Sequence, residues 1–250
     1  MKITQEVINL IKEGTSLNKI NKITGFNKST IYFHYKKIKG KKIKNIEINF
    51  KNENELGEFL GVFAGDGSFY KALKNYEYII RIYIGYYEKH YAIYLKNKLM
   101  KWFNKKPHIY ITNYKNNPSL ITLHYSSKQI YNLIKNHLEW KGKKSKTVRL
   151  KKLDLKNNEF NLGFLRGLID TDGSYYVPKR RISFSTISKE LARQAYRIIK
   201  HQLKKSPKQY IIKKDNKADL YTLSLHGLEA KRLIDIIKPK NINKTYAVVV

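Results

Sequence analysis

Nearly the same twelve residues occur twice in this chain, and the duplication constrains its fold more than any other feature of the sequence. FLGVFAGDGSFY spans residues 59–70, and LRGLIDTDGSYY spans residues 165–176. The Gly, Asp and Ser residues that the two share lie 106 positions apart, whereas later matches, such as Arg81 with Arg181, lie 100 apart. One deletion of six residues between Tyr176 and Arg181 would explain the change. A register kept over this distance predicts two copies of one unit.

Each copy predicts the same order of elements, α-β-β-α-β-β-α. Apolar helices open the copies at residues 53–65 and 159–171. Alternating runs such as YIIRIYIGY and RRISFSTI predict strands, and runs with helical spacing, such as EKHYAIYLKNKLMKWF, predict helices. The sequence therefore predicts an α+β fold, in which a pseudo-twofold pair of αββαββα units carries two antiparallel, saddle-shaped sheets.

Residues 1–40 lie outside the repeat and predict a small all-α domain. Their apolar residues fall into three short helical stretches. The segment resembles a helix-turn-helix, whose third helix would enter the major groove of DNA. The residues expected at the leading end of that helix are Lys28, Ser29, Thr30 and either Tyr32 or Phe33. The alternative is a helical bundle that packs on the main body.

We therefore divide the chain into five segments. They are a helix-turn-helix-like domain (1–40), a basic linker (41–52), a first unit (53–140), a second basic linker (141–158) and a second unit (159–250). The second linker is either a solvated tether or a contact with the nucleic-acid backbone.

The charge of the chain indicates a polyanionic partner. Lys and Arg total 51 against 19 Asp and Glu, which gives a formal net charge of +32. Such a charge repels itself unless an anionic partner is near, and nucleic acid is the commonest one. The alternatives are a ribosomal or chromatin-type binder, or a proteome that is generally rich in Lys.

The composition also excludes several classes of site. The chain has no Cys, which rules out disulfides, thiolate zinc sites and a Cys nucleophile, and its seven His lack the spacing of metal ligands. The first residues are too polar for a signal peptide, and no apolar stretch approaches the roughly 20 residues that span a bilayer. We therefore expect a cytoplasmic protein with no membrane partner.

Small residues recur every four positions in both opening helices. Gly57, Gly61 and Gly65 share one helix face, and Gly163, Gly167 and Thr171 repeat the pattern. Stripes of small residues allow two helix backbones to approach closely. We therefore expect the two helices to pack on each other.

This packing would bring together the acids that end the helices, Asp66 and Asp172. A helix C-terminus disfavours a carboxylate, and two neighbouring carboxylates disfavour each other. A divalent cation between them would remove both penalties, and an all-oxygen ligand set suits Mg²⁺. The alternative is a plain helix-ending turn, with Gly67 and Gly173 as left-handed caps.

The motifs FLGVFAGDG (59–67) and LRGLIDTDG (165–173) resemble the LAGLIDADG motifs of homing endonucleases. The second is close to the consensus, and the first departs from it at Phe59, Val62 and Ala64. The family often has Asp at the position of Ala64, mainly for helix packing or capping. The resemblance extends from residue 53 to about 240.

The resemblance implies a single-chain pseudo-dimer whose sheets lie in the major groove of double-stranded DNA and which acts as a monomer. Asp66 and Asp172 would bind Mg²⁺ or Mn²⁺, assisted by the backbone carbonyls of Gly65 and Thr171. Hydrolysis would cut both strands across the minor groove.

The family also places basic or polar residues of the sheets near the scissile phosphates. The repeat nominates Arg81 and Arg181 as catalytic residues, with Lys71 and Lys179 as second choices. In the alternative, these Arg side chains bind phosphates away from the chemistry. Further DNA contacts are expected from Tyr83, Arg180 and Ser183.

These features together predict a metal-dependent, site-specific DNA endonuclease. The resemblance implies that it is encoded in an intron or an intein, or by a free-standing mobile gene. Two alternatives remain open at this stage. One is a non-catalytic transcription regulator of the same fold, and the other is an RNA maturase that assists intron folding.

Overall fold

The computed structural model describes residues 4–40, 46–72, 77–176, 179–213, 218–241 and 245–246. The chain divides into two compact units. One comprises Met1–Asn45 and Tyr70–Tyr78, and the other comprises Ile46–Phe69 and Ile79–Val250. Residues 41–45, which belong to the first predicted linker, lie outside the described residues.

The N-terminal residues form three helices, as the sequence predicts: α1 (Gln5–Lys12), α2 (Leu17–Thr24) and α3 (Lys28–Lys39). Their apolar faces meet in a small core in which Val7, Ile11, Ile20 and Ile31 are fully buried. Three residues join α2 to α3, which is the spacing of a helix-turn-helix.

The first copy follows the predicted order. It contains α4 (Glu53–Asp66), β1 (Gly67–Ala72), β2 (Glu77–Gly85), a 3-10 turn (Tyr86–Glu88), α5 (Lys89–Phe103), β3 (His108–Tyr114), β4 (Asn117–Ser126) and α6 (Lys128–His137). The strands form one sheet in the order β1-β2-β4-β3.

The predicted linker between the copies is partly ordered as short elements. These are β5 (Leu138–Glu139), α7 (Lys144–Thr147) and β6 (Arg149–Leu150). β5 and β6 pair antiparallel, and Val148 and Leu150 are buried. The segment is therefore packed onto the body, unlike a solvated tether.

The second copy repeats the first and adds a strand. It contains α8 (Asn158–Asp172), β7 (Gly173–Tyr176), β8 (Arg181–Thr186), α9 (Lys189–Leu203), β9 (Lys208–Ile212), β10 (Leu220–His226), α10 (Gly227–Ile237) and β11 (Thr245–Tyr246). The sheet order is β11-β7-β8-β10-β9, with β11 parallel to β7. The predicted α+β fold is confirmed.

Helices α4 and α8 pack on each other along their stripes of small residues, as predicted. A Cβ atom at Gly61 would lie 3.0 Å from the Cα atom of Gly167, and one at Gly167 would lie 2.5 Å from the carbonyl oxygen of Glu58. Both distances are shorter than van der Waals contact, so the two backbones touch where only Gly leaves room.

We expect Gly167→Ala to destabilise the protein by about 3 kcal/mol, the upper end of overpacking effects. The added methyl group meets backbone atoms of α4 that cannot turn aside. This penalty outweighs the roughly 1 kcal/mol that Ala gains over Gly inside a helix. Urea unfolding measures the change. Gly142→Ala is the control. A Cβ atom at Gly142 would meet nothing within 4 Å, so the only penalty is the strain of placing Ala at a φ of +61°. Equal effects of the two substitutions would contradict the close packing.

Among the described residues, no helix combines the length and the apolar character that crossing a membrane requires.

Candidate active site

The two motif acids stand at equivalent positions, as the last residues of α4 and α8. Asp172 is exposed and Asp66 is partly exposed. The Gly that follows each acid starts a strand, with φ of −84° at Gly67 and −97° at Gly173. Neither conformation is left-handed, so the alternative of left-handed caps is wrong.

The Gly residues after the acids are required by space. A Cβ atom at Gly173 would lie 2.5 Å from the carbonyl oxygen of Ile169, one turn back in the same helix. The chain therefore leaves the helix at once and in close contact with its last turn. Because the chain turns sharply here, strand β7 runs away from α8, and Asp172 is left at the end of the helix.

The structure brings both acids to one place beside the end of α4. A Cβ atom at Gly65 would lie 3.0 Å from Oδ2 of Asp172, so the second acid lies next to the residue that precedes the first. Both Asp172 and Asp66 also act electrostatically on one ammonium group, that of Lys144.

Lys144 was not among the residues predicted for the site. Its Nζ donates hydrogen bonds to the carbonyl oxygens of Phe63 (2.7 Å), Ala64 (2.8 Å) and Gly65 (2.9 Å). Three carbonyls at a helix C-terminus form a partial negative charge, which an ammonium group neutralises. Burial lowers the pKa of Lys144 to about 8, and the nearby carboxylates of Asp172 and Asp66 oppose this by raising it.

The segment around Lys144 is held in place from both sides. Thr147 Oγ1 donates to the carbonyl of Lys141 at 2.6 Å, and Ser188 Oγ donates to the carbonyl of Val148 at 2.7 Å. The remaining Lys side chains of the segment, Lys141, Lys143 and Lys146, are exposed. Tertiary packing thus gives Lys144 surroundings that differ from those of its neighbours in a Lys-rich stretch.

The repeat holds a signal that could have identified Lys144. The offset of 100 that relates later residues of the two copies pairs Lys144 with Lys244. Lys244 lies outside the described residues.

The second copy has a different set of hydrogen bonds at the equivalent place, because Asp170 occupies the position that Ala64 has in the first copy. Asp170 Oδ1 accepts hydrogen bonds from the backbone N–H groups of Lys240 (2.8 Å) and Asn241 (3.0 Å). The Asn241 side chain donates to the Asp170 carbonyl and to Glu88 Oε1, both at 2.8 Å. Burial raises the pKa of Asp170 to about 7, while the two backbone hydrogen bonds lower it. These bonds tie the segment after α10 to the helix turn that carries Asp172.

A buried ion pair joins α4 to α8 at positions that precede the two acids along the helices. Arg166 Nη1 donates to Glu58 Oε2 at 3.0 Å, and Tyr94 OH donates to Glu58 Oε1 at 2.7 Å. Glu58 is fully buried and Arg166 nearly so, so both charges depend on these partners. The ion pair fixes how the two helices that carry the acids are rotated relative to each other.

The sheets present alternating faces, as predicted. Ile80, Ile82 and Ile84 are buried on β2, whereas Arg81 and Tyr83 are partly exposed on its other face. Paired residues of neighbouring strands lie on the same face. One row of side chains across the first sheet is therefore Arg81, His124 and His108.

The predicted equivalence of Arg81 and Arg181 is wrong by two residues. Arg81 pairs with His124, but Arg181 pairs with His226. Because positions 122–123 of β4 match 222–223 of β10, the counterpart of Arg81 is Ser183, which pairs with Ser224. The corresponding row in the second sheet is Ser183, Ser224 and Lys208.

Arg181 lies away from the acids. It pairs with Tyr176, three residues beyond Gly173 on β7, which is about 10 Å along the strand. Its Nε donates to Ser224 Oγ at 3.3 Å. Lys179 and Arg180 are exposed in the same region, and Lys179, Arg181 and Ser183 line one shallow depression.

The other predicted DNA contacts lie in the compact unit that comprises Met1–Asn45 and Tyr70–Tyr78. Lys71 is exposed, with its Nζ 5.7 Å from the ring centre of Tyr78. Lys28 and Ser29 are exposed and Thr30 and Tyr32 partly so, at the start of α3.

The donor set near the acids fits a hard divalent cation. In the part of the chain that the structure describes, no three His, Cys, Asp or Glu side chains are grouped as a complete metal site. Mg²⁺ is commonly held by one or two carboxylates, with substrate phosphates and water completing its shell. Asp66, Asp172 and the carbonyl of Gly65, which already faces the Lys144 ammonium at 2.9 Å, meet that requirement. Thr171 Oγ1 is engaged with the carbonyl of Gly167, so Thr171 could contribute only its own carbonyl.

Comparison with known proteins agrees with this architecture. Residues 159–238 match the family model described as a LAGLIDADG-like domain. Structures of the homing endonuclease I-DmoI share the fold. Its mesophilic variants align with a TM-score of 0.54 and 20% identity over 75% of this chain and 97% of theirs. The complex of I-DmoI with DNA and Mn aligns with a TM-score of 0.52 and 22% identity, over 74% and 97%.

A second kind of protein shares the fold with a lower TM-score and over a smaller part of its own length. Full-length DUF199/WhiA from Thermatoga maritima aligns with a TM-score of 0.50 and 16% identity, over 78% of this chain and 58% of that one. None of the curated protein sequences matches the chain. Residues 159–238 are therefore a domain of the LAGLIDADG family, and the chain has the LAGLIDADG endonuclease fold.

Proposed function

We propose that this protein is a site-specific, divalent-cation-dependent endonuclease that cuts double-stranded DNA. The observation that carries the proposal is the meeting of two duplicated acids around one ammonium group. The carboxylates of Asp66 and Asp172 both attract the Lys144 ammonium group, at the C-terminal ends of α4 and α8. A net charge of +32 supplies the attraction to a polyanion. The I-DmoI relatives, solved with target DNA and with Mg or Mn, support the same reading.

Asp66 and Asp172 would hold Mg²⁺ or Mn²⁺, with the carbonyls of Gly65 and Thr171. The cation would act as a Lewis acid on the scissile phosphate. The acids supply negative charge on rigid helix ends, which the Gly contacts and the Glu58–Arg166 pair hold in position.

Lys144 would serve as a fixed positive charge beside the reacting phosphate. Preorganised charges contribute most where they need no rearrangement during the reaction, and three hydrogen bonds already hold this ammonium. Arg81 lies on the open face of its sheet and would screen phosphate charge. Arg181, Lys179 and Arg180 would bind backbone phosphates farther out, together with Lys71.

The two sheets would lie against the grooves of a long, asymmetric site. The row Arg81, His124 and His108 in the first sheet differs in chemistry from the row Ser183, Ser224 and Lys208 in the second. Tyr83 lies next to the first row, and the equivalent residue in the second sheet is Ser185. Different donors in the two halves favour different bases, so we expect a target that is not a palindrome. One chain provides both halves, and a monomer suffices.

A second candidate is a sequence-specific DNA-binding regulator without cleavage activity. The DUF199/WhiA structure has the same fold, and the three N-terminal helices of this chain have helix-turn-helix spacing. The regulator would need neither the acids nor Lys144.

Incubating the protein with a randomised duplex DNA library, with Mg²⁺ and with a chelator, separates the two candidates. The endonuclease enriches a specific set of cut ends only when Mg²⁺ is present. Specific binding without cut ends, under Mg²⁺ and Mn²⁺ alike, would favour the regulator and overturn the proposal.

A further inference from the structure

We propose that a pocket beside the segment that joins the two copies binds one unpaired nucleotide, with its base stacked on Trp140 and its phosphate near Lys141 and Lys189. The pocket, called the Trp140 pocket below, has a volume of about 380 Å³, within the roughly 300–1,000 Å³ of pockets that hold small ligands. Its lining includes Glu139, Trp140, Lys141, Arg149, Lys189 and Glu190. The inference does not depend on cleavage, because it concerns binding alone.

Hydrogen bonds join the walls of the Trp140 pocket. One wall is the hairpin of β5 and β6, and another is the start of α9. Ser188 Oγ, at the N-cap of α9, donates to the carbonyl of Val148 at 2.7 Å. The Gln194 side chain accepts from the N–H of Leu150 at 2.8 Å and donates to its carbonyl at 2.9 Å. The pocket is therefore formed before a ligand binds, which reduces the entropy lost on binding.

Trp140 offers a fixed aromatic surface to this pocket. Its ring centre lies 4.7 Å from that of Phe69, and Lys135 Nζ lies 5.0 Å from it. Trp140 is partly exposed, whereas Trp102, the other Trp of the chain, is fully buried. Every nucleobase has a π-face that can stack on such a ring, and one stack strengthens binding by about 5- to 150-fold.

The charges that line the Trp140 pocket favour an anion. Each of the two acids named in its lining accepts a hydrogen bond from an Arg, in the pairs Arg149–Glu139 (2.8 Å) and Arg193–Glu190 (2.7 Å). The Lys141 and Lys189 side chains are exposed at the same pocket. Because the acids are already paired, these ammonium groups attract a phosphate, which Lys binds as a point charge.

An aromatic ring beside two ammonium groups fits a nucleotide whose base is unpaired. A base inside a duplex is stacked on its neighbours and cannot reach the ring. Helix α7, whose first residue is Lys144, also lines the pocket, so the bound nucleotide would lie next to the segment that carries this residue of the candidate active site. Two sources share this chemistry, a free nucleotide and an unpaired residue of a nucleic-acid strand.

Isothermal titration calorimetry of the full chain, with dAMP and with a short single-stranded oligodeoxyadenylate, tests the proposal. A chelator is present, so no metal-dependent cleavage contributes. We expect Trp140→Leu to weaken binding by about 5- to 150-fold, because Leu fills apolar space but cannot stack on a base. Trp140→Phe keeps an aromatic ring and should bind within about fivefold of the parent.

Two double substitutions test the phosphate contact. We expect Lys141→Met/Lys189→Met to weaken binding by about three- to tenfold at low salt, since exposed charge pairs each contribute little. Lys101→Met/Lys200→Met removes the same charge from exposed positions of α5 and α9 outside the pocket and should bind as tightly as the parent. Deoxyribose 5-phosphate, which lacks the base, should bind at least about fivefold more weakly than dAMP.

Acrylamide quenching of Trp fluorescence in the parent protein gives a reading that needs no substitution. Because Trp102 is fully buried, quenching reports mainly on Trp140. Saturating dAMP or oligonucleotide should shield Trp140 and reduce the quenching. Unchanged quenching at saturation would overturn the inference even if the Trp140 variants fail to fold.

The two probes distinguish the sources of the nucleotide. Binding of dAMP that depends on Trp140 would support a free nucleotide, and such binding of the oligonucleotide alone would support an unpaired strand. Equal binding of both probes by Trp140→Leu and the parent would overturn the inference. An equal loss of affinity for a blunt duplex in Trp140→Leu would also overturn it, because the contact would then be with paired DNA. Cleavage of the duplex library tests the endonuclease separately, so either proposal can fail while the other stands.

Discussion

Cleavage is expected to fall by at least roughly a hundredfold in Asp66→Asn and in Asp172→Asn, and to be undetectable when both substitutions are combined. Asn keeps the shape of Asp but loses the charge that holds a divalent cation. DNA binding should persist or tighten, because each change removes a negative charge that faces a polyanion. Cutting of a plasmid that carries the selected site measures the rates, and gel shift measures binding.

Asp235→Asn is the matched control for these acids. Asp235 lies on α10, is exposed and is outside the predicted metal and DNA-binding residues, so its loss should leave the rate unchanged. Unfolding curves of all variants report whether the fold is intact. Cleavage at the parent rate by the doubly substituted protein would place the chemistry elsewhere.

Lys144→Met is expected to reduce cleavage by about 10²–10³-fold, the effect of removing one preorganised charge-stabilising group. Met keeps most of the apolar stem, but it leaves the carbonyls of Phe63, Ala64 and Gly65 without their ammonium donor. It also leaves the two acids without the cation on which both act, so they repel each other more strongly. Single-turnover cleavage of the selected duplex measures the loss of rate.

Lys146→Met serves as the control for Lys144→Met. Lys146 belongs to the same short helix and the same Lys-rich stretch, but it is exposed. It should change only the salt dependence of binding, by about 0.9 in slope if it contacts a phosphate. Equal cleavage by both variants and the parent would make Lys144 a helix cap without a role in the reaction.

Local patterns in the sequence were enough to predict the main helices and strands of residues 1–40 and of the two copies, but not the short elements β5, α7, β6 and β11. The predicted strand HIYITNY is β3, and LYTLSLH is β10, with the same bounds. The stripes of Gly in α4 and α8 predicted their contact, because a missing side chain has a direct geometric consequence. The same stripes predicted that the two acids lie close together, because each acid ends one of the two helices that were expected to pack on each other.

The register of the second sheet could not be obtained in this way. A strand that slips by two residues keeps its apolar side chains on the same face, so the alternation of β8 fits either register equally well. The Arg-Ile pairs at 81–82 and 181–182 suggested the wrong one. Pairing with β10 decided for Ser183 as the counterpart of Arg81.

The sequence by itself determined the repeat, the order of elements, the basic charge and the two acids, because each depends on residues that are neighbours along the chain or repeat at a constant offset. Tertiary structure decided that Lys144, rather than the Lys residues around it, caps α4, a role that its match with Lys244 in the repeat does not describe, and it tied Asp170 to Asn241, 71 positions later. Those choices depend on which side chains become buried together. Burial is set by the packing of the whole body, and no local pattern encodes it.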